Sequence, residues 1–491
     1  MRTKEILVIG AGIAGCAIAL ALAKRGIAVT IMTSPLDQRI CSTSFIRHQC
    51  LEEKIQKLSI EKPEQFGCPR AYEQLVTLAS QSLKELLESN YLVDRNGNID
   101  IQRCLQEQLK QYAEVEWYSH YSVIELLTLD QHSQRKADRY KKPTCLGVIA
   151  YNHDTQRIEY FLAKETILAT GGAPSLFPYS IYPSTACGEG IAIAYRAGAR
   201  LLNMDQIQFH PLALFERERP SFPLPLELLA EGAKIYVSKA ALLEVDFSSS
   251  SYLLHQLYDQ LLKTHHEHLW LDLTLVDHIA FKEKFPTVDN YCLNHGFNFV
   301  KDPLPVVPAV VYTYGGIAID RTAQTTLQRL RAIGGVACTG LFWNFGDETL
   351  SVLESLTWAM VCAEDIAKQV NKFIYYFPEV REGPSHLGAS SSIVEEDWKM
   401  LRQIMWSYIG IHHDRPHLER GCLLLDQLSI MNTPSDLFSC SIEQIQLCYA
   451  IQTAQLIAYA IRAQQGKSTY SARFPSFFQR LAHESPKAVP I

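Results

Sequence analysis

An α/β fold built on a dinucleotide-binding βαβ unit is what the sequence predicts, and three observations carry it. Glycines at 10, 12 and 15 stand between an apolar strand-length run, Ile6 to Ile9, and a run of good helix formers, Ala14 to Lys24. Gly26 then offers a helix C-cap, and Val29 to Met32 reads as a second, β-branched strand. Far downstream, "ATGG" (169–172) and "LRAIGGVACTGL" (330–341) each end a strand-like run in a glycine turn.

The first element explains its own residue types. Gly10 permits a tight turn, Gly12 lets backbone approach a pyrophosphate and Gly15 lets helix meet strand, while the helix N-terminus offers amide hydrogens to the phosphates. Ala11, Ile13 and Ala14 complete this loop. The acid that ordinarily closes the second strand and binds the adenosine ribose is missing, because Thr33 and Ser34 follow Met32.

Residues 120 to 160 carry short β-like runs, "YSVIELLTL", "CLGVIAYN" and "IEYFLAKETILAT", separated by a polar, basic stretch from Asp130 to Lys142. They read as a meander feeding the buried strand Ile167 to Thr170, with Gly171 and Gly172 returning the backbone to the nucleotide. The segment "ETLSVLESLTWAMVCAEDIAKQV" is a nearly all-apolar helix, expected to be buried with its first turn, near Ser351 and Val352, facing an electron-rich group. Two further glycine turns returning to the first-strand fingerprint over some 300 residues favour FAD over NAD.

The bulk numbers fit a globular enzyme or binding protein. The chain has 491 residues, 47% hydrophobic and 20% charged, with a net charge of −6, so no basic surplus points to nucleic acid or an anionic membrane. No segment approaches the ~20 apolar residues of a membrane span, and the early glycines interrupt the stretch that resembles a signal peptide. Thirteen cysteines without a C-x-x-C pair or zinc spacing suggest reduced thiols, a cytoplasmic location and no metal site.

"ATGGAPSLFPYSIYPSTACGEGIAIAYRAGARLLNMDQIQFHP" (169–211) resembles the signature of the succinate dehydrogenase and fumarate reductase flavoprotein family. Within it, Leu271 to Asp320 and "MWSYIGIHHDRPHLERG" (405–421) are most similar to the L-aspartate oxidase branch. The similarity runs from about residue 3 to 475. It implies a Rossmann-like FAD-binding domain over 1–212 and 306–375, an inserted α+β capping domain over 213–305 and a helical C-terminal domain over 392–491. Capping boxes at Ser392 to Glu395 and Ser441 to Gln444 open two of its helices, the first running to Ile409 and the second to Gln465.

The resemblance implies FAD contacts at Thr33, Ser34, Ser42, Thr170, Gly171, Gly172, Glu189, Gly335, Ser351 and Val352 besides the first glycine loop. It further implies hydride transfer from the α-carbon of an amino or dicarboxylic acid to the flavin, with electrons passed to oxygen or fumarate. The product, iminoaspartate, feeds quinolinate and NAD synthesis, with quinolinate synthase as the pathway partner. His210, in "QFHP", and Glu231, in "LAEGA", match family site positions. Others depart: Leu229 stands at the proton-transfer arginine, Val311 and Phe342 at histidines, Gly346 at a second arginine, and Gly335 at the ribityl-binding glutamate. Arg47 and His48 replace glycines of a flavin-lining loop, and Arg217 and Arg219 are further candidate cations. Each has a bland alternative: His210 as a buried core histidine, Glu231 as a solvated cap residue, the arginines as a charged surface. Two other functions stay open, a degenerate, non-catalytic flavin-binding paralogue and a flavoenzyme acting on a less charged substrate.

Overall fold

The computed structural model describes residues 1–35, 45–61, 66–87, 98–217, 219–238, 241–342, 348–372, 374–388, 394–412, 414–432, 434 and 436–465. Its organising element is the strand Arg2–Ile9, buried along its C-terminal half. It runs parallel to Val29–Met32 on one side, with Ile6 opposite Val29 and Ile9 opposite Met32, and parallel to Arg157–Leu168 on the other. Val115–Tyr118 extends the sheet outward from Val29–Met32. The far edge of Arg157–Leu168 serves two neighbours in turn. Its N-terminal half pairs antiparallel with Cys145–Asn152, which pairs antiparallel with Tyr121–Thr128; its C-terminal end pairs parallel with Leu330–Ala332. All four residues of Val29–Met32 are buried, as expected for a parallel strand covered on both faces.

The helix Ile13–Ala23 buries every residue from Ala14 to Ala23. It lies against Glu348–Gln369, the apolar helix expected from the sequence. Gly10 adopts φ +106, and a Cβ there would collide with the Ala169 carbonyl; a Cβ on Gly15 would collide with the Gly10 carbonyl. Only glycine fits where strand, turn and helix meet this closely. Arg331 is fully buried beside them, its guanidinium bridging Glu165 at 3.2 Å and Asp365 at 2.6 Å, and so ties the strand Leu330–Ala332 to both the sheet and the long helix.

A second, antiparallel sheet is ordered Ile207–Leu214, Leu304–Thr313, Leu269–Asp272, Lys234–Ser238 and Ala241–Leu243. Helices Ser250–Thr264, His278–Lys284 and Pro286–Asn294 accompany it, and a separate core gathers Leu212, Leu228, Leu229, Ile235, Leu257 and Phe281. The C-terminal region is helical. Val394–Ile404 continues as a π-helical turn through Ile409, followed by Arg415–Asn432 and Ile442–Gln465. Ser441 and Gln444 form the expected reciprocal cap, each backbone N–H donating to the other's side chain at 3.0 and 3.4 Å. Ser392 lies outside the described residues. The last helix reaches into the main body, where Thr453 Oγ1 donates to the Gly188 carbonyl at 3.0 Å. Among the described residues no helix is long and apolar enough to cross a membrane.

Candidate functional site

A cleft with about 1070 Å³ of empty space, counting its open mouth, lies where the first glycine loop meets the two later glycine turns. Gly10, Ala11, Gly12, Ile13 and Ala14 form one wall. Thr170, Gly171, Gly172 and Gly335 form another, and Ser351 and Val352, in the first turns of the long helix, line it as well. Gly15 sits behind the loop as a packing residue. The first intrahelical bond runs from Cys16 N–H to the Gly12 carbonyl at 2.9 Å, so the amides of residues 13–15 precede it at the positive end of the helix dipole.

Several features suit this cleft to a dinucleotide. Gly12 faces open space, with nothing within 4 Å of a Cβ built on it, which leaves the loop backbone approachable. Thr170 lines the cleft too, although its Oγ1 is buried against Gly190 of the helix Glu189–Arg196, where among the described residues it has no hydrogen-bond partner. Gly334 adopts φ +69, and a Cβ on Gly335 would stand 3.0 Å from Gly172 N, so the two later turns touch each other. That contact also shows why an acid at 335 is hard to place here: its Cβ needs the neighbouring turn to yield.

Sequence reasoning missed part of the lining. Gln102 steadies the loop by donating Nε2–H to the Ala11 carbonyl at 3.0 Å, and Tyr182, Thr185, Tyr312 and Ser355 also line the cleft. Tyr182 and Thr185 fall within the 169–211 stretch, Tyr312 within 271–320 and Ser355 on the long helix, but nothing local marks which side chains of those stretches face the cleft. Glu189, at the start of the helix Glu189–Arg196, and Thr33 and Ser34 are not on the lining. Ser34 instead receives a hydrogen bond from Ser122 Oγ at 3.2 Å. Ser42 lies outside the described residues.

The expected substrate residues fare differently. Leu229 is 5% exposed in the core of the second sheet, and Val311 is buried in the strand Leu304–Thr313. Phe342 stacks edge-on against Tyr314 at 5.3 Å beside Gly67. His210 is buried at a bulge in Ile207–Leu214, where its Nδ1 accepts the Leu212 N–H at 3.1 Å. Burial pushes its pKa down to about 4, so at neutral pH it is an uncharged imidazole and holds no carboxylate by charge.

Glu231, expected as a catalytic residue, is not brought to this cleft. It lies half-exposed just past the helix Glu227–Ala230 and is ion-paired with Lys284, away from the cleft lining. Arg217 is likewise spent on the surface, paired with Glu267 at 2.6 Å, and Arg219 is exposed. Both face solvent because the loop after Leu214 leaves the sheet. Arg47 closes the short strand Phe45–Arg47 and His48 opens the helix His48–Leu58, but their side chains lie outside the described residues, as does Gly346.

One group had no place in the sequence argument. Glu354, on the cleft-lining helix, is 5% exposed; Thr339 Oγ1 donates to one carboxyl oxygen and Tyr312 OH to the other at 3.4 Å. Burial outweighs those two hydrogen bonds and pushes its pKa up to about 7. A single acid in an otherwise apolar helix stretch was the available signal.

Comparisons with known proteins bear on this geometry. A model of the FAD binding domain family matches residues 81–345, more than half of the chain, and one described as glucose inhibited division protein A matches residues 5–50. The chain is 25% identical to L-aspartate oxidase of Vibrio cholerae, over 85% of each chain. It is 28% identical to chloroplastic L-aspartate oxidase 2-a of Nicotiana tabacum, over 87% of this chain and 74% of that one. Among solved structures, Sdh1 of Mycobacterium smegmatis superposes with a TM-score of 0.74 at 18% identity, covering 96% of this chain and 88% of that one. FrdA of the E. coli quinol fumarate reductase gives 0.70 at 16%, covering 94% and 90%. These likenesses establish the fold expected from the sequence, a mixed α/β flavoprotein architecture with a helical C-terminal region.

Proposed function

The chain belongs to the FAD binding domain family and is an FAD-dependent oxidoreductase, and we propose that it oxidises an amino acid at the α-carbon in the manner of the L-aspartate oxidases it resembles. The observation that carries this reading is the convergence of three glycine turns and the long helix's first turns on one cleft. Bound FAD supplies the two-electron acceptor for a hydride from the substrate carbon. The chain's own part would be to hold it, with the amides of residues 13–15 for the pyrophosphate and the first turns of the long helix, at Ser351 and Val352, for the ring. Iminoaspartate as product, quinolinate synthase as the next enzyme, NAD synthesis as the pathway and the cytoplasm as its location belong to the same proposal. So do the domain limits 1–212 with 306–375, 213–305 and 392–491.

Anaerobic mixing of FAD-loaded protein with L-aspartate tests the reading. Bleaching of the flavin at rates on the order of 1–10³ per second is the expected result. A second reading, an uncharged substrate, is favoured by one observation: Leu229 and Val311 are buried apolar residues where the family pattern has an arginine and a histidine, and the matching His210 is neutral. Bleaching by neutral amino acids but not by aspartate would select it. Saturable FAD binding with no bleaching by any amino acid would leave a non-catalytic flavin-binding paralogue.

A further inference from the structure

Oxidising an amine or alcohol to C=N or C=O releases one hydride and one proton. The hydride has its acceptor in FAD, but Leu229 offers none for the proton. Behind the cleft wall stands an alternative. Glu354 lies between Ser351 and Ser355, both of which line the cleft, and its carboxyl is reached from the cleft through the hydroxyl of Tyr312, itself a lining residue. Thr339 Oγ1 fixes the other carboxyl oxygen, so the acid is held in place from two segments remote from its helix.

Among the described residues this acid has no countercharge and no ion-pair partner, and the ionisable groups around it are Tyr182 and Tyr314, which face Tyr312, and Cys338, which faces both Glu354 and Asp205. Burial pushes the Cys338 thiol up to about 11 and the Tyr312 phenol well above its ordinary value, so both stay protonated near neutrality. A buried carboxylate without a cation is costly, which makes the protonated and ionised forms of Glu354 close in free energy at neutral pH. That is the property a proton-exchanging group needs.

We propose that Tyr312 and Glu354 form a two-residue relay that takes up the proton released when substrate in this cleft is oxidised, an inference that rests on the oxidase reading above. The substrate C–H bond breaks with both its electrons going to FAD, which is reduced. An N–H or O–H bond of the substrate also breaks, its proton passing to Tyr312 Oη while the tyrosine's own proton passes to ionised Glu354, and C=N or C=O forms. Tyr312 touches substrate; Glu354 acts through it.

Anaerobic flavin reduction followed against pH tests the relay. Wild-type rates should rise along a limb with an apparent pKa near 7, as Glu354 ionises. E354Q should lose the limb and run roughly 10²-fold or more below wild type on its upper plateau, Y312F should match it, and E354D should restore the limb. Should E354Q fail to fold, T339V serves: removing a donor to the carboxylate should move the limb to higher pH. One readout needs no turnover: the infrared band of a protonated carboxyl should titrate near pH 7 in resting wild-type protein and be absent from E354Q. A limb that survives in E354Q, that stays in place in T339V, or a wild-type rate in Y312F overturns the relay alone. Wild-type protein that binds FAD but is bleached by no amino acid defeats the oxidase reading and the relay with it.

Discussion

The glycine cleft and the second sheet differ in what builds them. The cleft is made by backbone: Gly10 and Gly15 have no room for a Cβ, and the groups presented to a ligand are mainly amides and the first turns of a helix. The second sheet is held together by side chains, and there Leu229 and Val311, where the resemblance leads one to expect an arginine and a histidine, are buried apolar residues, while His210 is buried and neutral. A backbone site survives wide sequence change because its geometry is shared with the fold itself. A side-chain site is altered one substitution at a time.

The largest effect that could break this contrast belongs to the cleft. Gly15→Val drives a branched side chain into the Gly10 carbonyl and should abolish saturable FAD binding in a fluorescence titration. Gly12→Ala meets nothing within 4 Å, so it should fold normally while weakening FAD binding. Equal behaviour of the two variants would mean the loop is not held as described.

Next comes the second sheet. Leu229→Arg introduces the residue type expected from the family resemblance but places a charge in the core around Leu212, Leu228 and Ile235. An unpaired buried charge costs about 3–5 kcal/mol, so urea unfolding should show a loss of that order and no gain in bleaching by aspartate. A stable variant that oxidises aspartate would recast this core position as part of a charged site needing one residue to be whole.

The pH dependence of stability separates two buried groups by sign. Glu354 is raised from 4.5 to about 7, so the folded state binds its proton more tightly. Its contribution is fully present below pH 4.5 and is lost as pH rises through 7. Relative to wild type, E354Q should therefore gain stability across that window, by up to about 3 kcal/mol at about 1.4 kcal/mol per unit. His210 is lowered from 6.5 to about 4 and runs the other way: its contribution is present above pH 6.5 and lost as pH falls through 4. His210→Asn should flatten the acid limb of wild-type stability. An unchanged limb would place the histidine in solvent.

The smallest effects belong to the surface pairs. Glu231→Gln and Arg217→Ala remove partners of exposed ion pairs and should change stability by about 1 kcal/mol or less, with substrate-induced bleaching unaltered. A large loss of bleaching in Glu231→Gln would return that residue to the chemistry.

What could be read without coordinates was whatever short stretches of chain dictate locally. Glycine spacing at 10, 12 and 15, the buried β-branched strand Val29–Met32, the meander from Tyr121 to Leu168 and the cap at Ser441 are all decided by neighbours in sequence, through backbone sterics, periodicity and hydrogen bonds a few residues long. Those sufficed for the fold class and for the nucleotide. The tertiary structure alone decided the rest, because a side chain's partner is chosen by packing between distant segments. Glu231 meets Lys284 across 53 residues of chain, and Tyr312 and Thr339 close on Glu354 from 42 and 15 residues away. No local pattern records such meetings, so the sequence alone offered an acid beside a missing arginine as the chemical group. The folded chain buries a different acid, behind a tyrosine, where desolvation gives it a proton to exchange.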